Sequence, residues 1–312
     1  MVVEADESDG SFLKLPAEIA IVTNIDADHL ENYGGDFTRV QKAFSDFLHR
    51  LPFYGLAVVC IDDPEVRKLV AQTSRNLLTY GFSEQADVRA TAVHHQGAAM
   101  LFDLYLPDQE PLQAVRLNLP GRHNVLNALA AVACGWQLGV TPKTIIHALA
   151  GFQGVGRRFQ QRGSLAHPRG QALLVDDYGH HPRELAAVFE AARAGWPERR
   201  LVVAFQPHRY TRTRDLMDDF SAVLSQVDVL LLTEVYAAGE SPIAGADGRA
   251  LARSVRSRGR VDPVLVASAQ ELPEALANLL EDGDFLLMMG AGDIGAVING
   301  MAQQGRVEEH KT

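Results

Sequence analysis

The sequence predicts an α/β protein of two domains, and three observations carry that reading. Apolar runs of strand length alternate with segments of helical periodicity along the chain. In the second half the alternation settles into βαβ spacing, which calls for a mostly parallel sheet. The 312 residues suffice for two domains of roughly 100–200 residues each. The glycine-rich stretch GFQGVG at 151–156 interrupts the pattern near mid-chain, so the expected domains are 1–152 and 153–312.

Taken in order, Val2 and Val3 read as the end of a strand running into an acidic loop with Glu4, Asp6, Glu7 and Asp9. A strand is expected over 18–25 (EIAIVTNI), bounded by Pro16 and Asp26. Val40, Phe44, Phe47 and Leu48 predict a helix within 37–51, and GLAVVCI (55–61) a buried strand. Several short β runs follow between 76 and 119, one of them 100–106. Helices are expected over 124–138 and 142–150, the second with Pro142 in its first turn. In the second half, strands are expected at 172–175, 201–205, 227–233, 263–266 and 284–289. Leu185, Val188, Phe189 and Ala192 mark a helical face just after Pro182.

Charge and cysteine content narrow the function classes. Lys and Arg number 29 against 39 Asp and Glu, a net charge of −10, so the global basic footprint of a nucleic-acid binder is absent. No apolar run nears the ~20 residues of a membrane helix. The N-terminus lacks the basic and apolar regions of a signal peptide. Cys60 and Cys134 lie far apart and form neither a disulfide framework nor a zinc motif. A reduced, cytoplasmic protein is expected, with no nucleic-acid or membrane partner.

In parallel α/β sheets, ligands bind beyond the carboxyl ends of the strands, and polar clusters fall at those ends here. They are 23–35 (TNIDADHLENYGG), 176–182 (DDYGHHP), 206–214 (QPHRYTRTR), 233–240 (TEVYAAGE) and 290–294 (GAGDI). Each alone reads as a solvated loop or helix cap. Together they gather Arg157, Arg158, Arg209, Arg212 and Arg214 in an acidic protein. Guanidinium forks suit phosphate and carboxylate. Glu4 and His29 are donor types that a divalent cation takes. The run GAGDIG matches G-x-G-x-x-G, but the following strand and distant acidic residue of a dinucleotide site are missing. It reads as a glycine turn into a helix, not as an NAD site.

The motifs VVEADESDGSF, TNIDADHLENYGGDF, LPFYGLAVVC, LPGRHNVLNALAA, GVGRRFQ, DDYGHHPRE, FQPHRYTRT and GAGDI, in this order, resemble the Mur ligase family. The resemblance covers essentially the whole chain. It implies an incomplete central domain, a mixed sheet with helices, followed by a Rossmann-like doubly wound C-terminal domain. Within the family, the match is to the branch that joins L-alanine to UDP-N-acetylmuramate with ATP and Mg2+, through an acyl phosphate. The resemblance assigns Glu4 and His29 to magnesium, and Asn124 with Asn127 to adenine. Arg158 falls to the ATP ribose and phosphates, and Asp176 or Asp177 to a further nucleotide contact. Tyr178, His180, Arg209 and Arg212 form the amino-acid pocket; His180 and the two arginines serve the reaction, one arginine holding the substrate carboxylate.

The departure is equally plain. The family carries a nucleotide-sugar-binding domain and then a G-x-x-G-K-[ST] phosphate loop, and no GK[ST] occurs in these 312 residues. The missing part is expected to precede Met1 and to amount to roughly 150 residues. A chain of this extent is expected to be inactive alone. Two alternatives stand beside the alanine-adding reading: a non-catalytic fragment that binds nucleotide or amino acid, and a muropeptide ligase that reattaches a recycled tripeptide.

Overall fold

The computed structural model describes residues 1–27 and 29–307. The chain forms two units, one of Met1–Asn118 and Arg122–Phe152, the other of Leu119–Gly121 and Gln153–Thr312. No helix among the described residues is long and apolar enough to cross a membrane.

The first unit is built on a six-stranded mixed sheet in the order β1 to β6. The strands are β1 (Ile19–Val22), β2 (Leu56–Cys60), β3 (Asn76–Gly81), β4 (Val88–Gln96), β5 (Ala99–Tyr105) and β6 (Leu112–Leu117). Neighbours from β1 to β4 are parallel, and β4, β5 and β6 pair antiparallel. The sequence reflects this change. In β2 the last four residues are all buried, as a strand covered on both faces requires, whereas β5 alternates.

Helix α1 (Phe37–His49) starts where the Asp36 side chain accepts the Thr38 N–H. Its Val40, Ala43, Phe47 and Leu48 face a core shared with Phe12, Ala20, Val22 and Val59. Each large apolar side chain so buried contributes about 1.5–3 kcal/mol. Helix α2 (Pro64–Val70) is capped by Asp63, which takes the N–H groups of Glu65 and Val66, with Pro64 in the first turn. Helix α3 (Arg122–Gln137) buries Val125, Leu129 and Val132, and α4 (Pro142–Gly151) is capped by Thr141.

One expectation fails at the start of the chain. Val2 and Val3 are 100% and 50% exposed and lie in irregular backbone, not at the end of a strand. Among the described residues no strand pairs with them. Two apolar residues without a ladder partner cannot hold extended pairing.

The second unit is a doubly wound sheet in the order β11-β10-β9-β12-β8-β7. Its strands are β7 (Gln160–His167), β8 (Gly170–Asp177), β9 (Leu201–Phe205), β10 (Val229–Thr233), β11 (Val264–Val266) and β12 (Phe285–Met289). All pairings are parallel except β7 with β8. Helices α5 (Pro182–Gly195), α6 (Tyr210–Asp215), α7 (Met217–Leu224), α8 (Gly248–Ser257), α9 (Leu272–Leu279) and α10 (Ile294–Gln304) connect them.

Strand alternation sorts this core into two layers. Val203, Phe205, Leu287 and Met289 face α5, α7 and α8. Val202, Ala204, Leu286 and Met288 face α9 and α10. The chain winds outward from β9 to β10 and β11, then returns to lay β12 on the other side of β9. That reversal is the topological switch point where open α/β sheets place their ligands.

Candidate functional site

In the first unit, a cavity of about 270 Å3 opens at the carboxyl ends of β1, β2 and β3, against the first turns of α3. Asn24, Cys60, Asp62, Tyr80, His123 and Asn127 line it. Asn124, on the same helix, is not among the lining residues. Burial pushes the Cys60 thiol and the Tyr80 phenol up from their ordinary values. The two form a neutral wall rather than a nucleophile. Asp62 is taken up by the backbone N–H groups of Phe82 (2.6 Å) and Ser83 (3.0 Å). A Cβ at residue 81 would stand 2.6 Å from its Oδ1, so only glycine fits there. The Arg122 guanidinium lies 4.3 Å above the Phe82 ring.

Glu4 is exposed in the irregular N-terminal stretch. His29 precedes a short 3-10 turn, Leu30–Tyr33, in a left-handed conformation at φ 55°. The two segments are tied together: the Tyr33 hydroxyl donates to the Glu7 carbonyl (2.5 Å) and the Asn32 amide to the Ser8 carbonyl (2.7 Å). Among the described residues no group of three or more His, Cys, Asp and Glu gathers as a metal site.

In the second unit, the residues at the ends of β8, β9 and β12 meet at the switch point. Asp176 and Asp177 close β8 and are 0% and 4% exposed. Asp176 Oδ1 accepts from Arg157 Nε (3.1 Å), and Arg157 also donates to the Gly290 carbonyl (2.6 Å). Burial raises the Asp176 pKa against the pull of Arg157. Asp177 accepts the Phe159 and Gly179 N–H groups, each at 2.7 Å. Burial still pushes it up to about 6. Both carboxylates therefore face inward and brace the loops. Arg158 behaves differently from its neighbour: it is exposed, 3.5 Å from Glu184 and 5.4 Å from the Tyr178 ring centre. Adjacent arginines thus divide, Arg157 into a buried tie and Arg158 toward solvent.

The segment after β8 serves two purposes. His181 caps α5, its Nδ1 accepting the Arg183 N–H, with Glu184 accepting the N–H groups of His180 (2.8 Å) and His181 (3.0 Å). Burial opposes ionisation of Glu184, but His180, these N–H groups and Arg158 lower its pKa overall. Tyr178 and His180 are left edge to face, their ring centres 5.5 Å apart.

After β9, Gln206 donates to Asp293 (2.6 Å) and accepts the Ile294 N–H (3.1 Å), fixing the start of α10. Gly292 is required by this packing, since a Cβ there would lie 2.4 Å from Gln206 Oε1 and 2.7 Å from the Tyr236 ring. The glycines of GAGDIG thus serve close packing into a helix. Arg209 stands at φ 72°, 3.8 Å from Glu240, and Arg212 is 7% exposed. Glu240 accepts from the Thr211 hydroxyl (2.7 Å) and N–H (3.0 Å). Burial resists its ionisation, but Thr211 and Arg209 lower its pKa overall. Arg214 pairs with Asp215 in solvent and takes no part.

The structure thus brings Tyr178, His180, Arg209 and Arg212 to the carboxyl ends of β8 and β9, on either side of β12 in one sheet. Sequence reasoning did not single out His208, Glu184 or Glu240, although all three lie inside quoted segments. His208 stacks on Tyr236 (5.5 Å, 12°) and packs against His180 (5.5 Å).

Residues 1–135 match the Mur ligase middle domain, and residues 157–292 match the Mur ligase, glutamate ligase domain. A UDP-N-acetylmuramate–L-alanine ligase of Stenotrophomonas maltophilia (strain K279a) is 64% identical over 306 residues, 98% of this chain and 64% of that protein. The ligase of that name from Xanthomonas axonopodis pv. citri (strain 306) is 62% identical over 310 residues, 99% of this chain and 65% of that protein. Among solved structures, a UDP-N-acetylmuramate-alanine ligase from Thermotoga maritima superposes with a TM-score of 0.75 at 28% identity. That match covers 96% of this chain and 62% of the solved one. The chain therefore spans a little under two thirds of the length of the relatives it matches. With both domains matched in order along nearly its whole length, the chain belongs to the Mur ligase family.

Proposed function

We propose that the chain is the greater part of a cytoplasmic, ATP-dependent ligase of peptidoglycan synthesis that joins L-alanine to UDP-N-acetylmuramate. The observation that carries this is the 64% identity over 306 residues to a relative of that name. In this reading the muramate carboxylate attacks the γ-phosphorus of ATP and ADP leaves. The alanine amine then attacks the acyl phosphate, and inorganic phosphate leaves as the amide bond forms. Negative charge builds up in both steps and must be met by cations.

Each unit offers groups suited to this chemistry. Asn127, in the first unit's cavity, and Asn124 on the same helix are the adenine contacts. Glu4 and His29 would hold Mg2+; their carboxylate and imidazole leave open positions, and the ion would neutralise phosphate charge. Arg158 is the phosphate-contacting arginine, because it faces solvent while Arg157 is tied to Asp176. Asp176 and Asp177 act behind it as braces, since both are buried on protein partners. Tyr178 and His180 wall the amino-acid pocket, and Arg209 and Arg212 hold the alanine carboxylate. These 312 residues contain no G-K-[ST] phosphate loop. The chain alone therefore binds ligands without completing the ligation.

The test is phosphate release with ATP, Mg2+, UDP-N-acetylmuramate and L-alanine. The chain alone is compared with the chain fused to the remaining third of the Stenotrophomonas relative. Release by the fusion alone, and only with both acceptors present, is expected. Release that requires a tripeptide with a free amino terminus in place of L-alanine, or no release by the fusion, refutes the reading.

A further inference from the structure

His208 stands at the switch point, one residue before Arg209, and the fold holds its ring in place. Its backbone pairs with Tyr236 in an isolated parallel bridge. The Tyr236 N–H donates to the Pro207 carbonyl (2.8 Å), and the Arg209 N–H donates to the Tyr236 carbonyl (2.9 Å). The side chain is stacked on the Tyr236 ring and packed, tilted, against His180. Its Nδ1 is enclosed, with no hydrogen-bond partner.

We propose that His208 is a third ligand-holding group of this site, donating its Nε2–H to the carboxylate that Arg209 and Arg212 attract. The inference rests on the amino-acid reading given above and adds a residue and a protonation state to it.

The enclosed Nδ1 decides the tautomer. A proton on Nδ1 would be a buried donor with no acceptor, which is costlier than an idle lone pair. The neutral ring therefore carries its proton on Nε2, and that nitrogen is a donor. The imidazolium form is disfavoured for the same reason and by the surroundings. Burial, then His180, Arg212 and Arg209, outweigh Glu240 and hold the pKa down to about 4. His180 and Arg209 face the ring from the ends of β8 and β9, Arg212 from α6, and Glu240 and the stacked Tyr236 from the segment after β10. A neutral imidazole serving as a fixed N–H donor is a recognised device in enzyme sites. It adds a directed hydrogen bond beside two cations without adding a third charge to repel them.

Two measurements test this on the chain as it stands. In the first, L-alanine and propionate, which lacks the amine, are titrated by NMR into the chain and into Arg209→Ala, His208→Phe and His208→Gln. Arg209→Ala is expected to weaken both ligands. His208→Phe keeps an aromatic ring but removes the donor, and is expected to weaken both about tenfold. His208→Gln returns an amide N–H near Nε2 and is expected to recover most of that loss. In the second, nitrogen-15 histidine spectra are expected to show His208 as the Nε2–H tautomer from pH 5 to 8.

Unchanged binding in His208→Phe beside a weakened Arg209→Ala overturns the assignment of His208 alone. So does a loss confined to L-alanine, which would put the ammonium group at the ring. An Nδ1–H tautomer or an imidazolium at pH 6 overturns it as well. Failure of the unmodified chain to bind either ligand, or unchanged binding in Arg209→Ala, overturns the amino-acid reading and the assignment of His208 with it.

Discussion

Replacing Arg157 with methionine isolates the tie between the strand ends. Arg157 is mostly buried, and its partner Asp176 is fully enclosed. The substitution leaves a carboxylate without its cation and the Gly290 carbonyl without one donor. Removing one partner of a buried pair costs about 3–5 kcal/mol. Neutralisation sets a ceiling on the charge part. Protonating a carboxyl of ordinary pKa near 3.9 at pH 7 costs about 1.36 × 3.1, or ~4 kcal/mol, and at pH 5 only about 1.5 kcal/mol.

The sign follows from linkage. Burial already holds the Asp176 pKa above its ordinary value, and losing Arg157 raises it further. A raised folded-state pKa costs nothing below the unfolded value and increasingly more as pH climbs toward the folded one. Arg157→Met should therefore destabilise the second unit by about 3–4 kcal/mol at pH 7 and clearly less at pH 5. Urea unfolding reads this cleanly through Trp196, which stacks on Phe159 and packs on Phe285 inside that unit. Trp136 is replaced by phenylalanine to silence the first unit. Asp176→Asn added to Arg157→Met should recover much of the loss, because the unpaired charge is gone. A destabilisation under about 1 kcal/mol, or one equal at the two pH values, would refute the reasoning.

Four further outcomes are expected. Asp177 is held at about 6 from an ordinary 3.8, so stability of the second unit should fall by about 3 kcal/mol as pH rises from about 4 to 6, then level off. The urea midpoint against pH checks this, and Asp177→Asn should flatten that part of the curve. Gly292→Ala should cost about 2 kcal/mol or more by displacing Gln206, whereas Gly300→Ala, in α10 with nothing within 4 Å of its Cβ, should stabilise by about 0.5–1 kcal/mol. In the fused ligase, Arg209→Ala or Arg212→Ala should raise the alanine KM at least tenfold through loss of a charge-assisted bond; an unchanged KM in both removes the carboxylate assignment. His29→Ala should shift the magnesium dependence of the fused enzyme to higher concentration, and a superimposable titration would remove His29 from the metal.

Where an element's own residues carried its signal, the sequence sufficed. LVVAF (201–205) is fully buried on both faces, and a continuous apolar run is what such a strand requires. Strand β7, QQRGSLAH, escaped because only Leu165 and His167 turn inward and its pairing comes from the hairpin with β8. The short helix α2 escaped for lack of length, although Asp63-Pro64 is a start signal. The polar strand ends were legible as a group because parallel sheets place them together. The division of labour within them was not. Arg157 and Arg158 are neighbours in sequence, and only tertiary packing turns one inward. His208 was equally hidden, since its proton count is set by rings and arginines from three other segments.

The sheet order of the second unit bears on how the site comes into being during synthesis. Strand β12, the last to be made, lies between β8 and β9, and all five of its residues are buried. Until residue 289 has left the ribosome, β8, paired with β7, and β9, paired with β10, have no shared neighbour through which to align with each other. Tyr178 and His180 then remain unregistered against His208 and Arg209 across a space one strand wide, about 10 Å. These strand ends are thus brought into register only once β12 has been translated. Nascent chains that stall between β11 and β12 present a split sheet with two raw inner edges, the kind of surface that chaperones hold and proteases clear.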